Sequence, residues 1–275
     1  MNVKIRRYTI INFIIILFMQ KAGITQDMPS PSNQNHFNNF VLTVGGDILH
    51  VISSPFHMNQ KERLNLIAFT AFTAISVGLL DKPLDKDFIE NEDTYLLPAF
   101  GLAKVGHSYN YFLIGLPVIT LSGGLIYNNS KLLETTRLMV ESYFIAGAIT
   151  HIGKNLFGRA RPFTNEGPGQ FQWLNFSHHK HSFPSGHTAG AFSIMTVLAK
   201  QYNRWQIKIP AYTLALAVAM QRIDSRNHWG ADVVVGGAIG YWVGSTLVNR
   251  YKKKNQSLSI NPYAFVDHVG FVISF

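Results

Sequence analysis

Gln221-Arg222-Ile223-Asp224-Ser225-Arg226-Asn227-His228-Trp229-Gly230-Ala231-Asp232 lies between two apolar runs, Pro210 to Met220 and Val233 to Val248. Two helices therefore hand over to one another across this stretch. If the second begins near Trp229, His228 and Asp232 stand one turn apart and can face each other. The carboxylate would then accept the Nδ1 proton of the imidazole, fix its tautomer and leave Nε2 free as a nucleophile. Arg222, at the end of the preceding helix, would offer a planar cationic fork to an oxyanion. A capping aspartate beside a surface histidine explains the same residues equally well.

Outward from this junction the same texture repeats. Apolar runs occur at Leu64 to Leu80, Leu96 to Val105, Tyr111 to Tyr127, Leu138 to Gly153 and Ala189 to Leu198. No strand-like alternation interrupts them, and no Pro/Gly/Ser linker divides them. The expectation is an all-α protein, a helical bundle of about six core helices over residues 64–250. Asp81-Lys82-Pro83 stops the first strong helix, and the acidic stretch Asp81 to Asp93 reads as a solvated loop. Gly236, Gly240 and Gly244 recur every fourth residue and would give one helix a smooth face for close packing. In the tail, residues 251–275, Val269, Phe271, Ile273 and Phe275 alternate with smaller residues, and Leu258 and Ile260 begin a similar pattern. That period predicts a short C-terminal β-hairpin.

Residues 1–25 read as a signal peptide or N-terminal anchor, with Lys4, Arg6 and Arg7 ahead of an apolar core from Ile10 to Met19. Residues 26–63 read as a tether carrying a short helix from Val41 to Ile52 and ending before the bundle. Export to the cell envelope is the resulting expectation. The net charge of +9 and pI near 9.7 favour anionic partners. The basic residues are scattered and carry no recognition motif, which argues against nucleic acid. Cysteine is absent, so disulfide and thiolate chemistry are excluded. The apolar runs, about 10–17 residues long, fall short of the ~20 that a spanning helix needs, and the mean hydropathy is only +0.09. Membrane association is expected; whether the helices span or lie against the bilayer stays open.

Two further clusters bear on the opening stretch. Lys154-Asn155-Leu156-Phe157-Gly158-Arg159-Ala160-Arg161-Pro162 closes a long apolar helix, and Gly158 with Pro162 would turn Arg161 back toward Lys154. Ser182-Phe183-Pro184-Ser185-Gly186-His187-Thr188 opens another helix. There Ser185 or Ser182 can cap, Gly186 lets backbone approach an anion, and His187 is placed to give a proton to a leaving oxygen. Each cluster alone reads as ordinary helix-end chemistry. The run His178-His179-Lys180-His181 lacks a spaced carboxylate partner and reads as a basic loop rather than a metal site. Arg137 and Glu141 have helical ion-pair spacing.

Taken in order, Lys-x6-Arg-Pro, Pro-Ser-Gly-His and Arg-x5-His-x3-Asp resemble the superfamily of type 2 phosphatidic acid phosphatases, bacterial acid phosphatases and vanadium haloperoxidases. The resemblance covers about residues 64–248, with its motifs confined to 154–232. One position departs, Gln221, where the family usually has Ser. By this resemblance His228 attacks phosphorus, Asp232 orients it, and His187 protonates the leaving group and then activates water. Lys154, Arg161, Arg222, Ser185 and Gly186 would hold the phosphate oxygens. The implied activity is a metal-independent phosphatase, needing no cofactor, that hydrolyses a phosphomonoester or pyrophosphate of a membrane lipid through a phosphohistidine. The same cage filled with vanadate would be a haloperoxidase, and a non-catalytic anion-binding bundle is the remaining alternative.

Overall fold

A computed structural model describes residues 31–90, 98–255, 259–265 and 268–274; the expected signal segment, residues 1–25, lies outside them. The chain divides between Pro55 and Phe56 into two units. The first contains helix α1, Pro31–Ser53. It is longer than the short helix expected from Val41, because residues 31–40, placed in the tether ahead of that helix, are helical as well.

The second unit begins with α2 (Gln60–Leu79), opened by a capping box in which Asn59 and Glu62 each accept from the other's backbone N–H. Next comes α3 (Asp81–Glu90), followed by α4 (Pro98–Gly106), α5 (Tyr109–Ile126), α6 (Ser130–Phe157), α7 (Gly186–Tyr202), α8 (Trp205–Asp224) and α9 (Gly230–Asn255). Helix α3 corrects the expected loop. Pro83 falls in the first turn, where a missing N–H costs nothing because that donor has no intrahelical partner. Asp81 is almost wholly buried rather than solvated.

Helix α7 is the hub, packed against α6, α8 and α9, while α4 lies on α8 and α5 on α6. Its core is built from Ile194, Met195 and Val197 with Leu138, Met139, Val218, Val243 and Leu247. The glycine seam of α9 is what lets α7 come so close. A Cβ on Gly236, Gly240 or Gly244 would stand 2.4, 2.2 or 2.7 Å from the carbonyl oxygens of Ser185, Ala189 and Ser193. Arg137 joins Glu134 and Glu141 along α6 at 2.9 and 2.7 Å, as its spacing implied. The tail forms the expected hairpin, β1 (Ser259–Phe265) antiparallel to β2 (His268–Ser274), with Ser259 opposite Ser274 and Phe265 opposite His268.

Among the described residues, α9 is the one helix long and apolar enough to cross a membrane, and 61% of that stretch is buried in the bundle, as in any core helix. The pair α2 and α3, bent by 53°, passes the same test together. The helices outrun their apolar cores because polar residues such as Lys154 and Arg222 occupy their last turns. Those turns build the site.

Candidate active site

The C-terminal ends of α6 and α8 and the N-terminal ends of α7 and α9 meet at one end of the bundle. Helix α6 stops at Gly158, which takes a left-handed conformation (φ 51°) and donates its N–H to the Lys154 carbonyl. Any side chain there would strike the Gln172 carbonyl, so the reversal needs glycine. Lys154 then donates to the His181 carbonyl at 2.8 Å, and Arg161 Nη1 to Asn227 Oδ1 at 2.8 Å. Ser185 caps α7, and its N–H donates to the Asp232 carbonyl at 3.0 Å. A Cβ on Gly186 would lie 3.6 Å from Lys154 Cε, so the start of α7 faces this lysine. Past α8 the chain hooks back, with the N–H groups of Asn227 and His228 donating to the Arg222 carbonyl at 3.2 and 3.1 Å. The helix ends that bear the three motifs thus meet in one place.

His228 is buried, and its Nδ1 lies 2.6 Å from the carbonyl oxygen of Ser182. A carbonyl only accepts, so Nδ1 carries the proton and Nε2 is the nitrogen with a free lone pair. The tautomer is the expected one, but its partner is not. Asp232 Oδ2 stands 3.8 Å from Nδ1, in ion-pair range and beyond a hydrogen bond. That oxygen is already engaged by the Ser182 hydroxyl and by the Trp229 N–H at 2.8 Å, and Oδ1 by Arg159 Nη1. Asp232 therefore caps α9 while it faces the imidazole.

Arg159, passed over in the sequence between Gly158 and Arg161, is completely buried. It pairs with Asp232 on one side and with Asp81 Oδ2 at 2.6 Å on the other. It also donates to the Pro168 carbonyl at 2.9 and 2.7 Å and lies against the Phe171 and Trp229 rings. Asp81 Oδ1 in turn accepts from the Ala231 N–H at 2.8 Å. Asp85, one turn on, grips Arg226 through two bonds of 3.0 and 2.9 Å. Helix α3 thus braces the junction between α8 and α9. Tyr109 was also unforeseen: its ring lies 5.0 Å from the Arg222 guanidinium and edge-on to His187 at 5.1 Å.

The electrostatics are those of a receptor for an anion. Burial, then Arg161 and Arg222, bring Lys154 down to about 8, against a weaker upward pull from Asp232. Burial, then Arg222, also lowers Arg161, whose buried Nε has no hydrogen-bond partner. A buried guanidinium N–H left unmet in native protein calls for an acceptor. His187 keeps an exposed face, yet the crowding of its inner side, then Arg222, His228, Lys154 and Arg161, pushes its pKa well down. Burial brings His228 to about 4 although Asp232 pulls the other way. Burial would raise Asp232, but Arg159 foremost, with His228 and Ser182, holds it at about 2. Among the described residues no three His, Asp or Glu side chains are grouped to hold a metal ion. His178–Lys180 forms a 3₁₀ turn that carries a Lys180–Glu166 ion pair, and the adjoining His181 carbonyl receives Lys154.

Residues 135–256, which contain the whole motif set, match the PAP2 superfamily model. That segment is similar to the PAP2 superfamily. A lipid A 1-phosphatase of Porphyromonas gingivalis is 34% identical over 103 residues, 36% of this chain and 20% of that protein. A lipid A 1-phosphatase of Rhizobium etli is 26% identical over 184 residues, 62% of this chain and 76% of that protein. The chain thus aligns with only a fifth of the first relative's length and about three quarters of the second's. Among solved structures, Aquifex aeolicus LpxE superposes with a TM-score of 0.47 at 24% identity, covering 62% of this chain and 95% of that one.

Proposed function

We propose that the PAP2-like domain hydrolyses a phosphomonoester or pyrophosphate carried by a lipid, by way of a phosphohistidine on His228. The observation that carries this reading is the 2.6 Å bond from His228 Nδ1 to the Ser182 carbonyl, which leaves Nε2 unprotonated beside the cationic helix ends. Nε2 attacks phosphorus in line while Lys154, Arg161, Arg222 and the start of α7 hold the equatorial oxygens. Phosphoryl transfer asks for positioning and charge neutralisation more than for covalent help, and these cations supply both. The imidazolium formed in the step faces Asp232, whose charge Arg159 holds in place while Asp81 anchors Arg159 from its other side. His187 gives its proton to the leaving oxygen and then takes one from the attacking water, a role worth about 10²–10⁴-fold.

A lipid substrate is supported by the names of the curated relatives and by the apolar side chains exposed on the outside of the bundle. Ile119 and Ile126 of α5, Phe144 and Ile152 of α6 and Leu216 of α8 are among them. Such surfaces belong against hydrocarbon or a partner rather than water. We therefore infer association with a membrane of the cell envelope.

Phosphate release from a panel of phosphatidate, phosphatidylglycerophosphate, lipid A phosphate and polyprenyl pyrophosphate tests the reading. Wild-type protein is expected to turn over at least one of these in the presence of EDTA, and His228→Ala none. Turnover that vanishes with chelator, or survives in His228→Ala, contradicts it.

A further inference from the structure

The end of the bundle opposite the PAP2-like site carries a second set of cations that the phosphatase reading does not use. Lys131 opens α6, Lys200 lies in the last turn of α7, Lys208 in the first turns of α8 and Lys252 near the end of α9. These helices run antiparallel, so the lysines gather about 21 Å from Gly186, the length of α7 between them. The convergence is direct. Lys252 Nζ donates to the Lys200 carbonyl at 2.6 Å, and Lys200 Nζ reaches Ser245 Oγ at 3.3 Å. Lys131 Nζ sits 4.7 Å over the Tyr202 ring, and Lys200 Nζ 5.9 Å from that of Tyr241. Burial and then Lys200, Lys131 and Lys208 all depress the pKa of Lys252, with no carboxylate opposing them.

Helix-end lysines commonly complement the macrodipole, and Lys252 does so at the α7 terminus. With Lys200 in the last turn of α7, that accounts for two of them. Lys131 and Lys208 belong to the first turns of their helices, where the macrodipole repels a cation. Two donor-bearing groups in the same turn of α7 are also unmet. Gln201, only 6% exposed, has a buried Nε2 without a partner, and so does the Tyr202 hydroxyl. Around them Trp205 and Tyr127 are largely exposed, at 68% and 78%. Lysines mixed with exposed Trp and Tyr are the composition of a surface that meets lipid headgroups.

We propose that Lys131, Lys200, Lys208 and Lys252 form a binding site for the phosphate of an anionic phospholipid headgroup, separate from the catalytic end. The site would fix this end of the bundle to an anionic membrane surface while the other end works on substrate. A phosphodiester headgroup suits it, since the catalytic chemistry acts on terminal phosphates and would not consume the bound lipid.

The full chain in neutral detergent, titrated with dioleoyl phosphatidylglycerol and read by native mass spectrometry, tests this. Wild type should retain phosphatidylglycerol in preference to phosphatidylcholine, and Lys200→Gln/Lys252→Gln should bind it about tenfold or more weakly. Hydrolysis of p-nitrophenyl phosphate should be unchanged in that variant. Because Lys252 also caps α7, Lys131→Gln/Lys208→Gln provides a pair without structural bonds to the backbone, and it should lose affinity as well. Equal retention of phosphatidylcholine, or undiminished phosphatidylglycerol binding in both variants, overturns the proposal. Glycerol phosphate competing as well as the lipid would also overturn it, by making this a free-anion site.

Discussion

Asp232 was legible in the sequence as the partner of His228, but its bonds were not. The one-turn spacing does bring the two side chains face to face, yet Ser182 and the Trp229 N–H already hold the nearer carboxylate oxygen, and the imidazole proton goes to a backbone carbonyl. Arg159 was invisible for a related reason. Its partner Asp81 lies 78 positions away, and no local pattern marks a pair made only by tertiary folding. Arg159→Met strands two buried carboxylates and should cost about 3–5 kcal/mol in equilibrium unfolding. Adding Asp81→Asn should recover part of that loss, because one stranded charge is gone. A double variant less stable than Arg159→Met argues against the buried pair. The His187 shift has its own consequence. A pKa pushed well below its ordinary value leaves the ring neutral at pH 7, and a bound phosphate dianion, opposing the cations that depress it, raises that pKa. Phosphate binding at pH 7 should then take up protons, as measured by calorimetry in buffers of different ionisation enthalpy. His187→Gln should abolish the uptake; uptake that persists points to another group.

At the scale of elements, the turn chemistry was readable and the helix lengths were not. Gly158 reverses the chain as its place before Arg-x-Arg-Pro suggested, and Ser185 caps α7. Helix α3 was missed because Pro83 and a run of charges look like a loop, while a first-turn proline is compatible with a helix. The four-residue glycine period in α9 was seen, and its purpose is specific. Each of Gly236, Gly240 and Gly244 faces a carbonyl of α7, the helix that carries Ser185, Gly186 and His187. Gly240→Ala should therefore destabilise by about 1–3 kcal/mol, since backbone cannot move aside cheaply. Gly237→Ala meets only the Phe192 ring at 3.4 Å and should be neutral or slightly stabilising through helix propensity. Thermal unfolding of the pair checks this, and equal losses would contradict the seam.

The second unit is an antiparallel bundle with unlike ends. One end gathers Lys154, Arg161, Arg222, His187 and His228, the proposed phosphate site, and the other gathers Lys131, Lys200, Lys208 and Lys252. The all-helical class and the three convergent motifs could be read from the chain because each motif falls at a helix boundary, where chain reversal forces neighbours together. The bracing of the junction by α3 depends on contacts across the bundle and needed the fold. The most direct test of the phosphohistidine is to trap it in His187→Ala with p-nitrophenyl phosphate, whose leaving group needs no protonation. Without His187 to activate water, an acid-labile, alkali-stable phosphoryl group should accumulate, and peptide mapping should find it on His228. Phosphate on any other residue, or full turnover by His228→Ala, would contradict the account.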